Sequence, residues 1–149
     1  MNTQARAVGV FALGVATFAS LDAVWLGVVM RGFYRDSLAP LARTGADGTL
    51  APIWAAAVPV YVLLALGVLL FVLPRATSAG GAAAWGALSG FLTYGVYDLT
   101  NLATLRGYSG TLTVVDMAWG AVATAITAAV MRAASSNGAR PAPRTPPAS

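Results

Sequence analysis

The sequence predicts an all-α fold: a four-transmembrane-helix bundle in up-down-up-down order, followed by a disordered, Pro-rich C-terminal tail. Three observations predict it. Hydrophobic residues make up 58% of the 149-residue chain and charged residues 9%, against about a quarter charged in an average soluble domain. The apolar residues fall into long runs at 7–30, 52–73, 82–105 and 111–131, each long enough for an α-helix to cross hydrocarbon. A lone strand in lipid would leave its backbone groups unpaired, and so few strands cannot close a barrel, so the runs are helices.

The first run follows Arg6 and stops at Arg31. At 1.5 Å per residue it reaches roughly 36 Å, more than the roughly 30 Å hydrocarbon layer. Arg6 and the Thr17-Phe18-Ala19-Ser20 stretch outline a secretory signal. The apolar run continues well past that point, whereas a signal's apolar region is about 7–15 residues, so a retained helix is expected. The second run opens at Pro52, which suits a first helical turn. It contains Pro59, expected to kink the helix about one turn back. A Pro74-Arg75-Ala76-Thr77-Ser78 turn and Gly80-Gly81 lead into the third run, which ends at Arg106-Gly107-Tyr108-Ser109-Gly110. Arg132 closes the fourth. Residues 133–149, rich in Pro, Ala, Ser and Arg without periodicity, are expected to be disordered. The first loop, 31–51, mixes Phe33, Tyr34, Leu38 and Leu41 with Arg31, Arg35, Asp36 and Arg43, a composition suited to lying flat among lipid head groups.

Missing residue types narrow the chemistry. The chain has no Cys, His, Lys or Glu; every acid is Asp and every basic side chain is Arg. This excludes disulfides, thiolate metal sites, histidine haem ligands and lysine Schiff bases. The net charge of +4 comes from Arg residues scattered over loops and ends, so a nucleic-acid interface is not expected. The expected partner is the lipid bilayer, with a homodimer or a membrane partner subunit left open. No cofactor, metal site or catalytic set is assigned.

Small residues at four-residue spacing mark expected packing faces: Ala12, Ala16 and Ser20, with Ala19, Ala23 and Gly27, on the first helix; Ala82, Gly86 and Gly90 on the third; Gly120, Thr124 and Ala128 on the fourth. With both termini on one side, that side carries Arg6, Arg75, Arg132, Arg140 and Arg144, and the other carries Arg31, Arg35, Arg43 and Arg106. The small excess points to both termini in the cytoplasm.

Three carboxylates interrupt the apolar runs: Asp22, Asp98 and Asp116. A charge at a helix centre costs at least roughly 2.5–3.5 kcal/mol, so each needs a partner or a function. Asp22 lies late in the first helix, Asp98 late in the third and Asp116 early in the fourth, which in alternating helices places all three at one depth. Arg31, Arg35 and Arg106 belong to the same side. Tyr94, Asp98, Asn101 and Leu105 share a helix face, with Tyr97 one turn from Asn101. Thr113, Asp116, Gly120, Thr124 and Thr127 form a polar stripe. An Asp-x-x-Trp pattern occurs twice, ending in Trp25 and Trp119. One reading is structural: the aspartates bond to Tyr, Trp and Asn and pair with Arg side chains. The other is a one-sided polar pocket for a small polar ligand, an ion or a lipid head group.

The segment Tyr94-Gly95-Val96-Tyr97-Asp98-Leu99-Thr100-Asn101-Leu102-Ala103-Thr104-Leu105-Arg106-Gly107 resembles the signature of a bacterial family of small predicted membrane proteins, domain of unknown function 2177. Leu21-Asp22-Ala23-Val24-Trp25-Leu26-Gly27, Val114-Val115-Asp116-Met117-Ala118-Trp119-Gly120 and Phe33-Tyr34-Arg35 fit the same pattern. The resemblance covers all four runs and leaves out the tail. It implies a four-span bacterial membrane protein and supplies no activity. The leading expectation is a ligand-binding membrane protein or transporter component. The alternatives are an assembly subunit of a membrane complex and a lipid-modifying enzyme, although no nucleophile–base pair, metal box or phosphate loop is present.

Overall fold

Asn2 starts the first helix, its side chain accepting the Ala5 N–H at 2.8 Å, a cap for a donor that would otherwise go unpaired. In the computed structural model, which describes residues 2–39, 41–46 and 49–137, this helix, α1, runs Thr3–Val24. It widens into a π-helical turn, Trp25–Val29, closed by the Met30 N–H on the Trp25 carbonyl at 2.7 Å. α2 (Arg31–Leu38) follows with Tyr34 buried and Arg31 and Arg35 exposed, the amphipathic character read in the first loop. The segment after it holds an isolated bridge between Thr44 and Leu50, and there is no strand among the described residues.

α3 (Trp54–Gly67) continues through Pro59 and passes into a π-helical turn, Val68–Val72, and a short 3-10 turn, Leu73–Arg75. The departure from α-geometry thus comes after the proline, where Val68 and Val72 are buried. α4 (Ala79–Thr104) is capped by the Ser78 hydroxyl, which accepts the Gly81 N–H at 3.1 Å. Gly107, at φ +85°, takes a left-handed turn that a residue with a Cβ adopts only under strain. This turn leads into α5 (Gly110–Asn137).

Among the described residues, three helical stretches are long and apolar enough to cross a membrane: Gln4–Val29, Trp54–Arg75 and Gly110–Ser136. α4, 26 residues long, is not among them, although its run was expected to be the third span. The polar groups of its sequence, with Ser89, Thr93, Asp98, Thr100 and Asn101 among them, lower its hydropathy. α5 extends past the expected boundary at 132. Its last turn is supported by the Ser135 and Ser136 hydroxyls, which donate to the Arg132 and Ala133 carbonyls at 2.8 and 2.9 Å. Residues 133–137 are therefore helical rather than disordered, and the rest of the expected tail lies outside the described residues.

α4 and α5 pack antiparallel with little space between them. A Cβ on Gly86 would lie 2.7 Å from the Thr124 carbonyl oxygen and 2.8 Å from the Ala128 Cβ; Gly90 lies against Gly120, and Gly95 against Met117. The small residues expected on these two helices thus serve their mutual contact. On α1 the expected stripe is displaced. Ala12, Ala16 and Ser20 are exposed, while Val10, Gly14, Phe18 and Asp22, also at spacing four, are buried, with Gly14 against Met131 of α5. The large Phe18 ring and the Asp22 carboxylate determine which face turns inward. The core joins Phe18, Val68, Val72, Ala82, Ala123, Ala128 and Met131.

Candidate functional site

The four-residue spacing that buries Phe18 also brings Asp22 inside, at 8% exposure. There the Trp119 indole N–H donates to Asp22 Oδ1 at 2.7 Å, and Tyr61 reaches the same carboxylate from α3. One turn after Asp22, the Trp25 ring lies flat on Trp119, with centroids 4.3 Å apart and planes 3° from parallel. The π-helical turn that begins at Trp25 precedes α2, and α2 folds Tyr34 back under it. The Trp25 indole N–H donates to the Tyr34 hydroxyl oxygen at 3.1 Å, and the Tyr34 hydroxyl donates to Asp116 Oδ1.

The two Asp-x-x-Trp patterns are thus braced crosswise. Asp22 takes the tryptophan of the other pattern, and Asp116 takes the other tryptophan through Tyr34. Burial first, and then the hydrogen bond to Asp116, push the Tyr34 hydroxyl above the usual tyrosine range, so it remains a proton donor at neutral pH.

Asp98 is fully buried on α4. Tyr108, in the turn before α5, donates to its Oδ1 at 2.6 Å, and Asn101 reaches the Tyr108 hydroxyl. Burial, followed by Asp98, raises the Tyr108 hydroxyl as well. Asp98 Oδ2 is buried with no hydrogen-bond partner among the described residues, as are the Thr124 and Thr127 hydroxyls. Tyr94, half-buried and packed on Gly120, lies within electrostatic reach of all three carboxylates. Asp116 in turn senses both Asp98 and Asp22. The expected stripe on α5 faces inward: Thr113, Gly120, Thr124 and Thr127 are buried and Asp116 half-buried.

The expected arginine pairing is not formed. Among the described residues the ion pair present joins Arg35 Nε to Asp36 Oδ1 at 2.9 Å, with both side chains mostly exposed. The three helix aspartates take Tyr and Trp donors instead: Trp119 of α5 and Tyr61 of α3 for Asp22, Tyr34 of α2 for Asp116, and Tyr108 of the turn before α5 for Asp98. Arg106 is exposed in the α4–α5 turn, and Tyr97, 62% exposed, stands on the outer flank of α4 near Tyr108. Neither joins the carboxylate network. No cluster of carboxylates among the described residues is suited to hold a metal ion.

Arg31 and Arg35 lie elsewhere in the site. They line a half-open cavity of about 990 Å³ between α1, α2, the segment after α2 and the start of α3. Asp22 and Tyr61 line it too, together with Ala19, Ala23, Leu26, Gly27, Arg43, Trp54 and Ala57. One carboxylate of the network therefore faces a space large enough for a small molecule.

Sequence reasoning missed Tyr34, Tyr61 and Tyr108 as members of the site. Tyr34 had a partial signal, as an aromatic residue in a first loop that mixes aromatic and leucine side chains with arginines. Tyr61 is a lone hydroxyl in an apolar run and Tyr108 a turn residue, and neither spacing points to a carboxylate on another helix.

No curated protein and no solved structure matches the chain at a significant level. A family model does match, covering residues 7–133, which takes in all five helices except the extreme ends of α1 and α5. The chain belongs to the family described as predicted membrane protein, DUF2177.

Proposed function

We propose that the chain is a four-span protein of the bacterial cytoplasmic membrane, with both termini in the cytoplasm, that binds a small polar ligand or lipid head group in the cavity beside Asp22. In this reading α4 is the remaining span. Its Asp98 and Gly90 are buried, Gly90 against Gly120 of α5, while Trp85, Leu88, Phe91, Leu92, Val96 and Leu99 are exposed, the arrangement expected of a helix between a partner and lipid.

The observation that carries the binding reading is the cavity itself. It has a carboxylate and a tyrosine at its α1–α3 wall, arginines near α2 and small residues between them. Small side chains at Ala19, Ala23, Gly27 and Ala57 leave the space open, and the tryptophan and tyrosine braces hold the Asp22 carboxylate in one place. Such pre-organisation reduces the ordering cost of binding.

The test is native mass spectrometry of the full chain extracted from its membrane in mild detergent. Wild-type protein is expected to carry a bound mass. Ala23→Phe, which fills the cavity from an exposed position on α1, is expected to lose it without a change in helix content. Identical spectra for the two proteins would overturn the reading.

A further inference from the structure

The charges around the cavity are unevenly distributed. Arg31 and Arg35 of α2 and Arg43 of the segment after it are the cationic groups that line it. The described acid beside them, Asp36, is paired with Arg35 at 2.9 Å, so among the described residues this rim keeps a net positive charge from Arg31 and Arg43. The lining also includes Ala19 and Ala23 of α1, Leu26 of the π-helical turn and Ala57 of α3, whose side chains offer an apolar chain contact and no hydrogen bonds. The carboxylate among the lining residues, Asp22, is 8% exposed and takes the Trp119 and Tyr61 donors.

The positions along the chain order these features by depth. Arg31 follows the first candidate span, which ends at Val29, and Arg43 precedes the second, which begins at Trp54. The arginines therefore stand where an apolar stretch gives way to polar chain, the level of lipid phosphates. Trp54, 70% exposed, marks the same level, as interfacial tryptophans do. Cationic at the phosphate level and apolar below it, the cavity matches an amphiphile lying parallel to the helices.

Building on the binding reading above, we infer that the occupant is a net-anionic phospholipid of the surrounding membrane. Its phosphate lies on Arg31 and Arg43, and the upper part of an acyl chain lies along the Ala19–Ala23–Ala57 wall. A guanidinium presents a planar fork of donors to phosphate oxygens. A zwitterionic head group would bring its own cation against the same positive rim, so the charge selects a net-anionic lipid over a zwitterionic one. A volume of about 990 Å³ lies at the upper end of the range of roughly 300–1,000 Å³ found for small-ligand sites, room for a head group and part of a chain.

The experiment titrates the detergent-solubilised full chain with short-chain phosphatidylglycerol, short-chain phosphatidylcholine or inorganic phosphate, reading the thermal unfolding midpoint and the bound mass. Phosphatidylglycerol is expected to bind and raise the midpoint with concentration, phosphatidylcholine to bind at least tenfold more weakly, and inorganic phosphate to leave the midpoint unchanged. Arg31→Gln and Arg43→Gln are each expected to weaken phosphatidylglycerol binding by about tenfold or more, as for loss of a charge-assisted hydrogen bond. Both residues are exposed, so the variants retain the fold.

Equal affinity for the two lipids, unaltered affinity in both arginine variants, or an effect of inorganic phosphate equal to that of phosphatidylglycerol would overturn the inference. The Ala23→Phe variant separates the two levels of the proposal. If it loses a bound mass while phosphatidylglycerol fails to bind wild type, the cavity binds something else. If it changes neither bound mass nor lipid titration, the binding reading falls with the lipid assignment.

Discussion

Trp25 and Trp119 stack face to face with centroids 4.3 Å apart, although 94 positions separate them in the sequence. Their indole N–H groups diverge from the stack, one to Tyr34 and one directly to Asp22. The two bonds differ in consequence. Trp119→Phe leaves a buried carboxylate without its direct donor and is expected to destabilise the protein by about 1–3 kcal/mol, in addition to any loss of stacking. Trp25→Phe leaves the bond from Tyr34 to Asp116 in place and is expected to cost less. Unfolding in detergent followed by near-ultraviolet circular dichroism checks the order, and a larger loss at Trp25 would contradict it.

Tyr34 and Tyr108 give the protein an alkaline limit. Both hydroxyls are raised by burial and by a carboxylate neighbour, so the folded state favours their protonated forms. The sign follows from linkage. Their contribution is complete below the unfolded tyrosine value, about 10, and is lost as pH rises above it toward the folded values. The unfolding midpoint is expected to be insensitive to these groups through neutral pH and to fall above about pH 10. Tyr34→Phe should blunt that fall. The chain has no lysine, so no lysine titration overlaps this window.

The α4–α5 contact is expected to be intolerant of a single methyl group. Gly90→Ala would drive a Cβ into the Gly120 backbone and the Thr124 hydroxyl, whereas Gly9→Ala meets nothing within 4 Å. The first is expected to cost about 1–3 kcal/mol or more through overpacking. The second is expected to be neutral or slightly stabilising, since alanine favours helix. Thermal unfolding of the two variants side by side in one detergent makes the comparison.

The membrane arrangement is open to cysteine labelling without background, because the chain has no cysteine. Thr77→Cys, before α4, and Arg106→Cys, after it, are both exposed positions. If α4 crosses the bilayer, an impermeant maleimide added to intact cells labels Arg106→Cys and spares Thr77→Cys until the cells are opened. Labelling of both from the same side would remove α4 from the set of spans.

The helices were legible because hydropathy and breakers are local properties of the chain. Arg31, Ser78 and Gly107 all mark ends or turns that the structure contains. The meeting of Asp22 with Trp119 was partly legible, since helix alternation fixes depth and the paired Asp-x-x-Trp patterns hinted at a shared interior. The choice of donors was not legible. Whether a carboxylate meets an arginine or a tyrosine depends on rotation of each helix about its own axis, and the α1 stripe shows how that rotation escapes spacing. Ala12, Ala16 and Ser20 satisfy the small-residue pattern as well as Val10, Gly14 and Phe18 do, yet burial of Phe18 and Asp22 decides between them. The cavity escaped for another reason, because its walls come from separate elements.

The fit of α4 against α5 bears on how the chain is made. α4 carries its buried aspartate and its glycine face toward a partner that the ribosome has not yet synthesised when α4 emerges. A helix of such modest hydropathy gains little by entering lipid alone. The short turn through Gly107 delivers α5 almost at once, so the two are expected to leave the insertion machinery together as a hairpin, with the second helix shielding the first.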